Sequence, residues 1–308
     1  MACRICGSEN IAEKLVAREM MLGLRDEFEY FICADCGCMQ IGFIPQDISR
    51  YYPKEYYSLN ELKISDNPIY RWLRKERWKY IFLSNNLLGK ILFKIFPEHS
   101  FPVAQMPKFN VDMEILDVGC GMGHILRIMS EVGFKNLTGI DKYIDKTITI
   151  DKVKLIKEEL EFLKDSRFDF IMMHHSLEHM PDQHQVLQLL RLMLKPGGKI
   201  LIRIPVMGYA FEEFRENWVQ LDAPRHFFLH SLKSFDRLVG KHGLLIEKTI
   251  FDSTSFQFTG SVKYKKNIAQ NEEYKFFKAE ITAFSAKAKE LNEKNQGDSA
   301  CFILSARD

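Results

Sequence analysis

Three groups of residues in this chain have types and spacings that could do chemistry. The first is Asp117-Val118-Gly119-Cys120-Gly121-Met122-Gly123, with a second carboxylate at Asp141 after Leu137-Thr138-Gly139-Ile140. Glycines so spaced let the main chain take positive φ and let a ligand approach the backbone closely. Asp141 is placed to accept two hydrogen bonds from ribose hydroxyls. The Gly-x-Gly-x-Gly loop lacks the third-glycine spacing of the dinucleotide fingerprint. A carboxylate beside it would repel a pyrophosphate, but would attract the sulfonium and amino group of S-adenosylmethionine. The residues favour that cofactor over NAD.

The second group is cysteine. Five of the seven cysteines fall within the first 38 residues, four of them as Cys3-x-x-Cys6 and Cys33-x-x-Cys36, with 26 residues between the pairs. Each pair presents two thiolates from one tight turn, and two such knuckles complete a tetrahedral S₄ shell suited to zinc. Gly7 and Gly37 follow directly and permit the turns. Four thiolates leave no open position, so the expected zinc is structural. Disulfides are disfavoured in a reducing compartment, and the paired spacing selects Cys36 over Cys38.

The third group is histidine. His174, His175, His179 and His184 lie within eleven residues, and Asp222-Ala223-Pro224-Arg225-His226 adds another ahead of His230. A neutral imidazole can take a proton from an acceptor hydroxyl. His175 is the first choice for this role, His226 the second, and His179 either joins them or fixes its loop. A catalytic metal on His175 and His179 is disfavoured, because Pro181 allows little helix there and no carboxylate ligand pattern follows.

These residues need elements to hold them. Ile115 to Val118 reads as a buried strand, and Ile125, Leu126, Ile128, Met129 and Val132 recur at helical spacing until Gly133. Val186, Leu187, Leu190, Met193 and Leu194 mark another helix, ended by Lys195-Pro196-Gly197-Gly198. Leu244 to Phe251 and Ala300 to Ala306 read as strands, with a polar, solvated helical stretch from about Lys263 to Lys294.

With Phe168-Asp169-Phe170-Ile171-Met172-Met173, Leu177-Glu178-His179 and Ile200-Leu201-Ile202-Arg203-Ile204-Pro205 following in order, the chain from about Met113 resembles the class I S-adenosylmethionine-dependent methyltransferases. The resemblance implies an α/β, doubly wound, seven-stranded Rossmann-like sheet whose last two strands pair antiparallel at the edge. It also implies cofactor contacts from Asp117, Gly119, Cys120, Gly121, Gly123, Asp141, Lys142, Glu158, Glu159 and His174. In that set Asp141 would bind the ribose, and Glu158 or its neighbour Glu159 the adenine amino group. The tyrosine-rich run after the second cysteine knuckle and the Asp-x-Pro-Arg-His segment look like those of ribbon-bearing bacterial methyltransferases of surface-polysaccharide and deoxysugar pathways. That likeness implies a nucleotide sugar or glycan as acceptor, methylated at oxygen or carbon.

The expected organisation is a zinc ribbon over residues 1–45, a tyrosine-rich segment and helical linker over 46–110, and an S-adenosylmethionine-binding domain over 111–308. Tyr51, Tyr52, Tyr56 and Tyr57 either pack the ribbon or close over a pocket. From Pro68 to Phe96 a basic, aromatic helix either links domains with one packed face or makes peripheral contact with a membrane. Pro97, Pro102 and Pro107 form a linker. The segment from Met207 to His230, with Trp218, Phe211 and Phe214, is placed to shape the acceptor pocket.

With 308 residues, 46% hydrophobic, the chain can bury a full core. A net charge of +2 argues against a nucleic-acid partner, so an RNA base methyltransferase is the second reading and a zinc-dependent interaction module the third. No apolar run approaches the length of a bilayer span, and the N-terminus carries no secretory signal. Both point to a cytoplasmic protein.

Overall fold

A computed structural model describes residues 1–52, 67–84, 86–96 and 109–307. Tyr56 and Tyr57 and the linker prolines Pro97, Pro102 and Pro107 lie outside the described residues. In chain order the elements are β1 (Ile11–Arg18), β2 (Glu27–Cys33), β3 (Met39–Ile41), α1 (Pro68–Leu83), α2 (Leu87–Ile95), β4 (Glu114–Val118), α3 (His124–Val132), β5 (Asn136–Ile140), β6 (Ile148–Ile150) and β7 (Val153–Ile156). They continue with β8 (Phe168–His174), α4 (Gln183–Met193), β9 (Leu194–Pro205), α5 (Tyr209–Phe214), β10 (Phe228–Leu229), α6 (Leu232–Lys241), β11 (Leu244–Phe251), α7 (Phe256–Lys265), α8 (Lys278–Glu293) and β12 (Ser299–Ala306).

The main sheet runs β11-β12-β9-β8-β4-β5-β7-β6. It holds the seven strands expected, plus the short β6, which pairs antiparallel with β7 at one edge. β11 and β12 pair antiparallel at the other edge, as expected. β9, β8, β4, β5 and β7 are parallel. Their side chains alternate between two buried faces. Leu116, Ile171, Met173, Ile200 and Ile202 join one core, while Ile115, Phe170, Met172 and Leu201 join the other. β4 has β5 on one side and β8 on the other, so the chain reverses direction across the sheet there. At such a point a crevice opens at the carboxyl ends of the strands.

A second sheet, β1-β2-β3-β10, ties the N-terminal unit to the rest. Its last strand comes from the segment after Arg225, with Phe228 paired to Gln40 and Leu229 to Met39. The ribbon core is continuous with one face of the main sheet, since Cys3, Ile5 and Met39 cluster with Phe228, Leu238 and Ile202.

Two elements differ from the sequence expectation. The basic stretch from Pro68 is two helices, because Ser84 takes a left-handed conformation and Asn86 caps a new start by accepting from Gly89 N. The inner face of α1 buries Trp78, Ile81 and Phe82, and Arg74 pairs with Glu131 at 2.7 Å. Lys263 to Lys294 is not one solvated helix. α7 ends at Lys265, and Lys263 is buried, its Nζ donating to the carbonyls of Gln270 and Glu272. The two main-chain acceptors offset part of the cost of burying the ammonium, and those bonds fix the loop that interrupts the helix.

Candidate active site

The loop after β4 folds as its glycines suggest. Gly119, Gly121 and Gly123 all have positive φ, at 75°, 50° and 68°. At Gly119 the need is also spatial, since a Cβ there would lie 2.4 Å from the Cβ of Ser176. Ser176 Oγ donates to Val118 O at 2.8 Å, so the loop after β4 is fastened to the turn after β8. Asp141 stands at the end of β5, where its carboxylate accepts from Gly121 N at 2.9 Å and Tyr143 N at 2.8 Å.

Beside this loop lies a cavity of about 750 Å³ lined by Gly119, Asp141, Lys142, Glu158, Glu159, His174, His175 and His179, among others. Eight of the residues expected from the sequence thus meet on one wall. Asp117, Cys120, Gly121 and Gly123 stand behind it: Gly123 packs on Leu155, and Cys120 lies against Gly139. Burial, reinforced by Asp141, pushes the Asp117 carboxyl up to about 7. Among the described residues the carboxylates outnumber the one lysine on the lining, Lys142, which is already paired with Glu159 at 3.2 Å. This donor set suits a cationic nucleoside with free ribose hydroxyls and opposes a pyrophosphate.

The tyrosine pair divides between its two expected roles. Tyr51 is buried, and its hydroxyl donates to Asp26 at 2.8 Å, which packs it on the ribbon. Tyr52 lines the cavity, stacks on Tyr143 with ring centroids 5.6 Å apart and places its hydroxyl 3.0 Å from His179 Nδ1.

At the far side of His175 is a second cavity of about 410 Å³, lined by His175, Arg203, Gln220, Asp222, His226, Asp252, Gln257 and Asp298, among others. Of these, His175 also belongs to the first cavity. Its backbone takes φ +50°, a conformation that non-glycine residues seldom adopt outside constrained sites. Its Nδ1 lies 3.1 Å from Glu178 Oε1, so Nδ1 carries the proton and Nε2 the lone pair. Glu178 is buried, which works to raise its pKa. The hydrogen bond from His175 and the nearby imidazoles of His179 and His226 outweigh burial and hold it at about 2.

His226 is reached from a different part of the chain. Its Nδ1 is 2.7 Å from Gln220 O, and its ring lies edge-on to His179 at 4.7 Å. The segment is anchored by Arg225, fully buried with Nη2 2.6 Å from Asp222 and 2.8 Å from Glu19, and Nη1 3.1 Å from Tyr51 O. Glu19 in turn accepts from Leu22 N and Leu24 N. Tyr30 adds a hydroxyl that donates to His226 O at 2.9 Å. The Asp-x-Pro-Arg-His segment is thus held by an ion pair to the N-terminal unit, a contact for which sequence offers no signal because Glu19 sits in no motif. The segment from Met207 to His230 does line the second cavity, but its aromatics Trp218, Phe211 and Phe214 are core instead. All three are buried, and Phe211 packs on Trp218. Their aromatic area is used to hold the segment, and the neighbouring Val219, Gln220, Asp222 and His226 provide the wall.

The four paired cysteines also come together. Cys3 Sγ is 3.6 Å from Cys36 Sγ, and Cys6 Sγ is 3.5 Å from Cys33 Sγ. A tetrahedral zinc with thiolates at 2.3 Å needs edges of about 3.8 Å, so the set fits that ion closely. Gln40 Nε2 donates to Cys3 Sγ at 3.1 Å, an outer contact of the kind that orients a thiolate. Cys38 is buried outside the set and donates to Met39 O. The cluster is tied to the segment after His230 through Cys36 O, which accepts from Ser231 Oγ at 2.9 Å.

Fold and cavities together define a Rossmann-like protein with a crevice beside the glycine loop and a separate polar cavity next to it. The methyltransferase domain family matches residues 95–249, half of the 308-residue chain, and the chain belongs to that family. A ubiquinone biosynthesis O-methyltransferase from Colwellia psychrerythraea is 33% identical over 100 residues, covering 29% of this chain and 40% of that protein. Phosphoethanolamine N-methyltransferase 2 from Caenorhabditis elegans is 26% identical over 158 residues, covering 46% of this chain and 34% of that protein. The chain therefore spans less than half the length of these relatives. The crystal structure of an S-adenosylmethionine dependent methyltransferase from Mesorhizobium loti matches with a TM-score of 0.43 at 17% identity, over 68% of this chain and 98% of that one, too distant to bear on chemistry.

Proposed function

We propose that this chain is an S-adenosylmethionine-dependent methyltransferase acting on oxygen or carbon of a small, sugar-containing acceptor. The observation that carries the reading is the position of His175, on the lining of both cavities. S-adenosylmethionine supplies an electrophilic methyl group on a positively charged sulfur. Asp141 binds the ribose hydroxyls, Glu158 or Glu159 the adenine amino group, and Asp117 favours the cationic end of the cofactor through space. His175 Nε2 takes the proton of the acceptor hydroxyl as its oxygen attacks, and Glu178 steadies the imidazolium that forms. Holding the acceptor in the second cavity, with the base between it and the first, brings the reacting groups together without a diffusional step.

The four cysteines hold a structural zinc that folds residues 1–45, and residues 111–308 act as the cofactor-binding domain. An acceptor rich in hydroxyls suits the second cavity, where among the described residues Gln257 Oε1 and the Gln270 side-chain oxygen lack hydrogen-bond partners and the acids Asp222, Asp252 and Asp298 line the wall. Such groups accept hydrogen bonds and need donors from the ligand.

The test is transfer of labelled methyl groups from S-adenosylmethionine to a panel of nucleotide sugars and free glycans, with His175→Ala alongside. Labelled product from the wild type and its loss in the variant are expected. A folded wild type that labels no sugar but labels RNA would replace this reading.

A further inference from the structure

We propose that Glu178, His179 and His226 form a binding site for a divalent transition-metal cation at the junction of the two cavities. One ligand atom from each of these residues lies within 4.8 Å of the other two. The three come from two separate stretches of chain, so the cluster is a product of the fold and was hidden from spacing rules. In sequence, Pro181 allows little helix around His175 and His179, and no carboxylate ligand pattern follows them. The carboxylate is Glu178 itself, turned inward by the short 3₁₀ turn Leu177–His179.

Three features point to a cation. Glu178 is buried, and among the described residues its Oε2 has no hydrogen-bond partner, whereas Oε1 is held by His175. A buried carboxylate oxygen left without a donor is costly, and such an atom calls for a ligand. Next, both imidazoles spend Nδ1 on main-chain carbonyls: His179 Nδ1 is 2.9 Å from Arg225 O, and His226 Nδ1 is 2.7 Å from Gln220 O. A carbonyl accepts only, so both Nδ1 atoms carry protons and both Nε2 atoms present lone pairs. This is the outer arrangement that metal-bound histidines show. Finally, the local charge is unbalanced. Among the described residues Arg225 is committed to Glu19 and Asp222, and Glu178 meets imidazoles only, through His175 at Oε1 and through His179 and His226 in the cluster.

Two imidazoles and one carboxylate leave coordination positions open, in contrast to the closed S₄ shell of the cysteines. His179 lines the first cavity and His226 the second, so the open positions face the place where acceptor and cofactor meet. A dication there would bind acceptor hydroxyl oxygens and make their protons easier to remove. Asp222, with Oδ2 3.8 Å from His226 Nε2, stands outside this set because Arg225 already holds its carboxylate.

Cation binding requires neither cofactor nor acceptor, so its test is separate from that of methyl transfer. Full-length protein is first loaded with zinc to fill the cysteine site and then titrated with Co(II), which does not displace zinc from thiolates. The expected result is one further equivalent of Co(II) per chain, with a visible spectrum that lacks thiolate charge-transfer bands. Binding should weaken at least tenfold in Glu178→Gln and in His226→Gln, and remain unchanged in His184→Ala, whose imidazole contacts His242 and Ile5 O instead. Should the two site variants fail to fold, Co(II) broadening of histidine proton signals in the wild type decides the matter. Broadening of His179 and His226 with His184 and His242 spared supports the site. No second equivalent in the wild type, or unchanged binding in folded Glu178→Gln and His226→Gln, overturns it.

Discussion

The glycine-loop cavity, proposed as the cofactor side, and the second cavity, proposed as the acceptor side, are built in opposite ways. On the cofactor side the chain runs from Asp117 through the glycine loop to Asp141 within about one strand–helix–strand unit, and adjacent residues bond one another, as Asp141 does with Gly121 N. On the acceptor side the wall is assembled from three distant stretches. His175 and Glu178 follow β8, His226 follows a turn near Asp222, and Glu19 reaches in from the N-terminal unit to Arg225 across 206 residues of sequence. The difference teaches where each half is vulnerable. Local geometry maintains the first, whereas contacts of high sequence separation maintain the second, so zinc, ion pair and base should affect the two halves unequally.

The largest effect should come from removing the proposed zinc. Binding of a structural zinc is worth on the order of 10 kcal/mol in small cysteine-ligated units, and here β3 carries β10 while Cys36 O accepts from Ser231. Chelation should therefore unfold residues 1–45 and abolish methyl transfer, while affinity for S-adenosylhomocysteine survives within a few-fold. Calorimetry and a transfer assay on the same chelated sample read both halves. Intact transfer with the N-terminal unit still folded would break the comparison.

Replacing His175 by Ala should lower turnover by about 10²–10⁴-fold, the usual contribution of a positioned base, with cofactor affinity unchanged. Near wild-type turnover would remove His175 as the base. Arg225→Met leaves two buried carboxylates, Glu19 and Asp222, without their cation, and should cost ~3–5 kcal/mol of stability by urea unfolding. A smaller cost, on the order of 1–3 kcal/mol, is expected for Gly119→Ala, which combines a left-handed backbone with a clash against Ser176. Unlike Arg225→Met, it should weaken cofactor binding.

The smallest effect is a pH dependence confined to the cofactor half. Burial and Asp141 raise the Asp117 carboxyl to about 7, so it is protonated below that pH and charged above it. The cationic cofactor favours the charged form. Affinity should be constant above pH 7 and fall by up to about tenfold per unit below it. Asp117→Asn should flatten the profile, and a wild-type profile flat from pH 5.5 to 8.5 would show that Asp117 does not sense the cofactor.

The same contrast explains what could be read from the sequence. The loop, Asp141, the strands and the cysteine pairs announce themselves because their partners are near in sequence or obey a fixed spacing. The eighth strand, Ile148–Ile150, is three residues long and too short to carry a period. Glu19, the inward turn of Glu178 and the pairing of β10 with β3 arise only when distant segments meet. Trp218, Phe211 and Phe214 were misplaced for a related reason: large aromatic side chains next to a site suggest a pocket, but burial against one another is the more common use of such area.

The most direct test of the account is calorimetric titration of zinc-loaded protein with S-adenosylmethionine, comparing the wild type with Asp141→Ala and His175→Ala. Binding by the wild type and by His175→Ala, with loss in Asp141→Ala, is the predicted result. A folded wild type that fails to bind, or an Asp141→Ala variant that binds as tightly as the wild type, would contradict the assignment of the cofactor to the glycine-loop cavity.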